Sequence, residues 1–140
     1  LSTDLIVGFP GETDEEFEMT IEAIRKVRFD FIYSFKYSQR PGTRATKYPE
    51  QISEEIKSQR LKKLLETQEL IVLEKNKVLK GSIQEVLIEK NNKIEYKTMS
   101  GRSRGNHMVN IRNCNSDVGE IIKVRITDTN KNSLSAETLS

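Results

Sequence analysis

The sequence predicts an α/β portion followed by an all-β portion, joined by a long helix. Three observations lead there. In residues 1–50, apolar runs bounded by Pro-Gly turns alternate with a segment of helical periodicity. Residues 51–80 hold no proline or glycine and carry apolar side chains at roughly helical spacing. From Gly81 onward the apolar period changes to two, with turn residues between short runs. A chain of 140 residues has room for one ordinary domain, or for a small domain plus a piece of another. No apolar run approaches the roughly 20 residues that span a bilayer, and no basic-then-apolar leader opens the chain, so no membrane partner is expected. The single cysteine, Cys114, has no internal disulfide partner and fits a reducing compartment, which makes a cytoplasmic protein the expectation. Leu1, not Met, leads directly into a strand-like run, so the sequence is expected to be a C-terminal piece of a longer protein.

In the first portion, Asp4-Leu5-Ile6-Val7-Gly8-Phe9 is an apolar run ended by Pro10-Gly11, the pattern of a buried strand. Thr13 and Glu16 have the spacing of a capping box, and the acidic first turn suits the helix dipole. Phe17, Ile21, Ile24 and Val27 then fall on one helical face. Phe31, Tyr33, Phe35 and Tyr37 alternate with Ile32, Ser34, Lys36 and Ser38, which assigns the aromatics to one face of a second strand. Strand, helix, strand at this spacing implies a parallel pair. The loops after the two strands, residues 8–12 and 38–43, lie where such architectures hold a ligand, though their glycines also serve ordinary turns.

Ser53-Glu54-Glu55 is a second helix start. Ile56, Leu61, Leu64, Leu65, Ile71 and Val72 give it an apolar stripe running to about Lys80. Lys57, Arg60, Lys62 and Lys63 cluster on its early turns and are expected to form a solvated face.

Five short strands follow, at about 83–89, 93–99, 108–111, 119–127 and 134–139. Five strands in about 60 residues fit a small barrel of the oligonucleotide-binding type. Such barrels bind looped or single-stranded RNA through basic and aromatic surfaces, and Tyr96 is the one aromatic here. Between the second and third strands lies Ser100-Gly101-Arg102-Ser103-Arg104-Gly105-Asn106, read as a tight turn displaying two guanidinium groups. Arginine's planar fork suits phosphate and nucleobase contacts, while the same pattern also describes a solvated charged turn. The net charge of +2 divides unevenly. Residues 1–79 carry 13 Lys/Arg against 14 Asp/Glu, and residues 80–140 carry 10 against 7.

Three stretches together resemble one family. The run from Thr3 to Thr13 (Thr-Asp-Leu-Ile-Val-Gly-Phe-Pro-Gly-Glu-Thr) is similar to the fifth-strand region of the radical S-adenosylmethionine methylthiotransferases. Phe35-Lys36-Tyr37-Ser38-Gln39-Arg40-Pro41-Gly42-Thr43-Arg44-Ala45 is similar to the next strand and loop, with Gln39 in place of the commonest proline. Gly101-Arg102-Ser103-Arg104-Gly105-Asn106, with Val109-Asn110, resembles the TRAM domain of those proteins, and its form is that of the tRNA-modifying, MiaB-type branch.

The resemblance implies three parts: residues 1–50 as the C-terminal βα portion of a partial (β/α) radical barrel, 51–80 as a connector helix, and 81–140 as a five-stranded RNA-binding TRAM barrel. It implies S-adenosylmethionine and two [4Fe-4S] clusters in the full-length enzyme, an electron donor, and as partner the anticodon arm of tRNA, with no DNA. The activity implied is addition of a methylthio group to C2 of N6-isopentenyladenosine next to the anticodon. Cluster ligation needs closely spaced cysteines. One cysteine cannot supply it, so no catalytic or metal residue is assigned here, and the piece alone is expected to be inactive. Asp4, Ile6, Gly8 and Lys36 are the implied S-adenosylmethionine residues, and Arg40 the substrate-loop residue. Lys97, Arg102, Arg104, Asn106, His107 and Arg112 are the RNA-binding candidates. The competing readings are a non-enzymatic RNA-binding module and the branch that modifies a ribosomal protein.

Overall fold

The computed structural model describes residues 1–92 and 98–139. They divide into two compact units, Leu1–Val72 and Leu73–Ser140.

In the first unit, β1 (Ser2–Val7), α1 (Asp14–Val27) and β2 (Phe31–Lys36) form the expected βα unit, followed by α2 (Glu54–Lys77). β1 and β2 pair in parallel, from Ser2 opposite Phe31 to Val7 opposite Lys36. Thr13 closes α1 with the capping box its sequence announces: its side chain accepts from Glu16 N, and the Glu16 carboxylate accepts from Thr13 N. Both helices cover one face of the sheet, burying Val7, Phe17, Ile21, Ile24, Ile32, Leu64 and Ile71 together. The opposite face keeps Ile6, Phe31, Tyr33 and Phe35 exposed.

Several expectations need correction. Val27, the last residue of α1 before the left-handed Arg28, is exposed, while Ile24 one turn earlier is buried. Tyr37 leaves the aromatic face: it lies past the end of β2, where its N–H donates to Val7 O and its ring is buried edge-on to Phe9. α2 ends at Lys77, not near Lys80, and Ile56 and Leu65 are exposed. Leu64 and Ile71 are buried as expected, with Leu61 packed against them, and the stripe also takes in Lys57, Arg60, Thr67 and Gln68, so two of the four clustered cations are buried.

The second unit contains β3 (Ile83–Asn92), β4 (Thr98–Ser103), β5 (Met108–Arg112), β6 (Ile121–Thr129) and β7 (Leu134–Thr138). They close into a barrel of order β3-β4-β5-β7-β6, antiparallel except for the parallel β5–β7 pair. This is the five-stranded, oligonucleotide-binding type of barrel that the strand spacing predicts. Alternate residues point inward, so Val86, Ile88, Met99, Val109, Ile111, Val124, Ile126, Leu134 and Ala136 fill the interior. Cys114 joins them, 3% exposed. Register shifts at Ile88/Lys90 and Ile126/Asp128 bend β3 and β6, as closure of a small barrel requires. β3 runs through Asn91 and Asn92, where the sequence suggested a turn. Most of the expected strand at 93–99, with Tyr96 and Lys97, lies outside the described residues.

Candidate nucleic-acid interface

The basic segment is half strand and half turn. Gly101, Arg102 and Ser103 belong to β4, and the reversal itself comprises Arg104 to His107. Asn106 sits at φ 63°, a left-handed conformation that asparagine adopts more readily than most residues. Ser103 stitches the turn: its N–H donates to His107 O at 3.1 Å, and its hydroxyl accepts from His107 N at 3.2 Å. The His107 ring nitrogen Nδ1 lies 3.3 Å from the same hydroxyl. A Cβ at Gly105 would come within 2.9 Å of the imidazole, so glycine makes room for that ring.

Arg102 pairs with Met108 and Leu87 across the ladders, which places it on the outer face of the barrel. Its Nη1 donates to Asn106 O at 3.2 Å and its Nε lies 3.8 Å from Glu89. Arg104 is 85% exposed in its side chain and donates from Nε to Glu85 at 2.7 Å. Arg112 is exposed at the end of β5. Arg102, Arg104, Asn106 and His107 thus lie within one turn and the strand leading into it. Lys123 and Arg125, exposed on β6 opposite Glu85 and Ile83 of β3, add cations to the outer face. Sequence reasoning passed over them because they lie in a strand rather than at a turn; their alternation with the buried Val124 and Ile126 was the available signal.

In the first unit the loops after β1 and β2 meet. Gly11 N donates to Glu50 O at 2.8 Å, and Phe9 packs edge-on against Tyr37 and Tyr48. Asp4 and Ile6 share the exposed sheet face with Tyr33 and Phe35. Lys36 is on the other side, its ammonium 3.1 Å from Glu54 and 3.3 Å from the Ser58 hydroxyl. Gly8 lies between, at φ 73°, with Lys57 packed where a Cβ would be. Arg40 is exposed, and its carbonyl accepts from the Thr43 N–H and hydroxyl.

The residues missed in the sequence are Lys57 and Arg60. Lys57 Nζ donates to Tyr37 O at 3.1 Å and to Glu54 at 2.7 Å. Arg60 donates to Glu12 O at 3.0 Å, to Glu12 Oε1 at 2.7 Å and to Asp14 Oδ1 at 2.7 Å. Burial works against the Arg60 charge, but its bonds to Asp14 and Glu12 outweigh this and hold its pKa above the ordinary value. Glu54 titrates lower than usual because Lys57 and then Lys36 bond its carboxylate. Among the described residues no three His, Cys, Asp or Glu side chains converge as a metal site, and the thiol of Cys114 is sealed in the barrel core.

Residues 77–139 match the TRAM domain. The chain is 43% identical over 136 residues to the tRNA-2-methylthio-N(6)-dimethylallyladenosine synthase of Finegoldia magna, covering 97% of this chain and 30% of that protein. It is 46% identical over 128 residues to the synthase of the same name from Carboxydothermus hydrogenoformans, covering 91% and 29%. With that of Acetivibrio thermocellus it shares 48% identity over 126 residues, covering 90% and 26%. The chain thus spans less than a third of the length of these relatives. Its TRAM barrel, and a likeness that runs through nearly all of its residues, make the chain similar to a part of these tRNA-2-methylthio-N(6)-dimethylallyladenosine synthases.

Proposed function

We propose that the chain is the C-terminal part of a tRNA methylthiotransferase that adds a methylthio group to C2 of N6-isopentenyladenosine next to the anticodon. In this reading residues 81–140 bind the anticodon arm, 51–80 connect, and 1–50 contribute strand ends to an S-adenosylmethionine site. The clusters and S-adenosylmethionine supply the radical and the sulfur; their cysteine ligands belong to the remainder of the enzyme, which works in the cytoplasm with an electron donor. The chain alone is inactive.

The observation that carries the reading is the turn of Arg102 to His107, with two guanidinium groups outward on a TRAM barrel. Guanidinium groups donate bidentately to phosphate and stack on bases, and the hydrogen-bonded turn fixes where they point. Asp4 and Ile6 on the open sheet face are the residues of this chain we assign to S-adenosylmethionine, with Gly8 and Lys36 at the strand ends and Arg40 toward substrate. Lys97 and Arg112 extend the RNA contacts.

The test is tRNA binding by the full-length protein carrying Arg102→Ala with Arg104→Ala. Each lost phosphate contact lowers the slope of log K against log salt by about 0.9, so the pair lowers it by about 2. Unchanged affinity and slope would remove the turn from the interface.

A further inference from the structure

We propose that Lys57 and Arg60 are positioning residues for the small-molecule site at the ends of β1 and β2, acting through the loop of residues 8–12. The proposal rests on the reading of those strand ends as the S-adenosylmethionine site.

Lys57 and Arg60 are each 7% exposed, on a stripe of α2 that otherwise serves packing. Packing alone would be served as well by apolar side chains, since a buried charge must offset its desolvation before it stabilises anything. What the charges add is direction. Arg60 bonds Glu12 O, Glu12 Oε1 and Asp14 Oδ1, in the loop after β1 and at the start of α1, and Lys57 bonds Tyr37 O, just past the end of β2.

One oxygen links these bonds to the loop backbone. Glu12 Oε1 accepts from Arg60 at 2.7 Å and from Gly8 N at 3.0 Å. Arg60 therefore orients the Gly8 peptide through a single carboxylate. Lys57 acts on the same residue from the other side. A Cβ on Gly8 would lie 2.2 Å from Lys57 Cγ, so the lysine stem occupies the space that glycine leaves. The aromatic rings of Phe17 and Tyr37 lie 5.6 Å from the Arg60 guanidinium and 5.8 Å from the Lys57 ammonium, favouring both cations where they are. The loop cannot move without separating buried charges. A small molecule that approaches the backbone at a glycine-bearing strand end needs that backbone fixed in advance.

The experiment uses the full-length protein with its clusters assembled. Equilibrium dialysis with labelled S-adenosylmethionine is run beside tRNA binding, iron–sulfur absorbance and thermal unfolding, for Arg60→Met, Lys57→Met and Arg60→Lys. We expect the Kd for S-adenosylmethionine to rise about tenfold or more in Arg60→Met, as for other residues that orient a contacting group, with partial rescue in Arg60→Lys. The Kd for tRNA and the cluster spectrum stay those of the unaltered protein. S-adenosylmethionine affinity unchanged in both methionine variants overturns the proposal. Parallel loss of tRNA affinity and thermal stability also overturns it, because that is the mark of a general structural role. Should Arg60→Met fail to fold, Lys57→Met and Glu12→Gln make the same comparison. An unaltered protein that does not bind S-adenosylmethionine overturns the underlying reading instead.

Discussion

Gly101→Ala tests whether the basic turn is held by the barrel or merely attached to it. Gly101 lies in β4 opposite Ile88 of β3, buried, one residue before Arg102. A Cβ there would fall 2.1 Å from Leu87 O, 2.8 Å from Leu87 C and 2.8 Å from Val86 Cγ1. Bringing 2.1 Å to the 3.4 Å of ordinary contact requires a shift of about 1.3 Å, against backbone that cannot rotate away. Overpacking of this kind costs about 1–3 kcal/mol. Parting β4 from β3 also lengthens ladder hydrogen bonds worth about 1 kcal/mol each. The expected loss is about 3–4 kcal/mol, a large share of the roughly 3–10 kcal/mol that a unit of this size holds in total. Segment-resolved hydrogen exchange reads it directly. Amides of the barrel strands should exchange about 10²-fold faster at a loss of about 3 kcal/mol, while α1 and β2 keep their protection. Gly105→Ala is the control: its Cβ meets the His107 ring, a side chain that can turn, and the Ser103 hydroxyl only at 3.8 Å, so the barrel should lose about 1 kcal/mol or less. A Gly101→Ala barrel destabilised by under about 1 kcal/mol would refute the idea that close strand approach, not turn geometry, demands this glycine.

Two further outcomes follow from the charges. Glu85 and Glu89 neutralise Arg104 and Arg102 in the free protein, through exposed pairs worth at most about 1 kcal/mol each. Glu85→Gln with Glu89→Gln should therefore raise RNA affinity, by up to about fivefold per pair, and the gain should vanish in an Arg102→Ala, Arg104→Ala background; a gain that persists there would mean a general field effect. The carboxyls of Glu54 and Asp128 titrate below their ordinary values, Glu54 through Lys57 and Lys36, Asp128 through Thr129 N–H and Lys80. A depressed folded-state pKa gives stability that is present above the ordinary carboxylate range and lost as pH falls through the folded value. Urea midpoints should hold steady from about pH 7 to 5 and fall below about pH 4, with Glu54→Gln flattening the response of the first unit; an acid response unaltered in Glu54→Gln would remove that carboxylate from the account.

Where period and burial coincide, the sequence is legible. The barrel strands alternate strictly, because one face meets the core and the other water, so Val86, Ile88, Val124 and Ile126 announce their faces. Thr13 and Glu16 announce the start of α1 in the same way. The basic turn was legible as chemistry but not in register. Gly101 resembles a turn glycine in sequence, and only the carbonyl of Leu87 pressing on it shows that it is a strand glycine. The partners of the arginines were not legible, because Glu85 and Glu89 lie in another strand and reach Arg104 and Arg102 only through the ladder register.

The harder failure is α2, and its cause is physical. A helical stripe is read from apolar residues, on the rule that charge faces water. That rule holds for Lys62 and Lys63, which lie on the same early turns as Lys57 and Arg60. It fails for Lys57 and Arg60 because segments distant in sequence offer Glu12, Asp14 and the Tyr37 carbonyl at the right places. Ile56 and Leu65, at the edges of the apolar stripe, are exposed while Leu64 and Ile71 are buried. Spacing gave the period of the helix and its buried Leu64 and Ile71, but not the two cations buried beside them. What holds the two cations inside is a set of long-range polar bonds that no local window contains. The error therefore falls where an anionic loop is gathered around cations, which is where a strand-end site would need its backbone fixed.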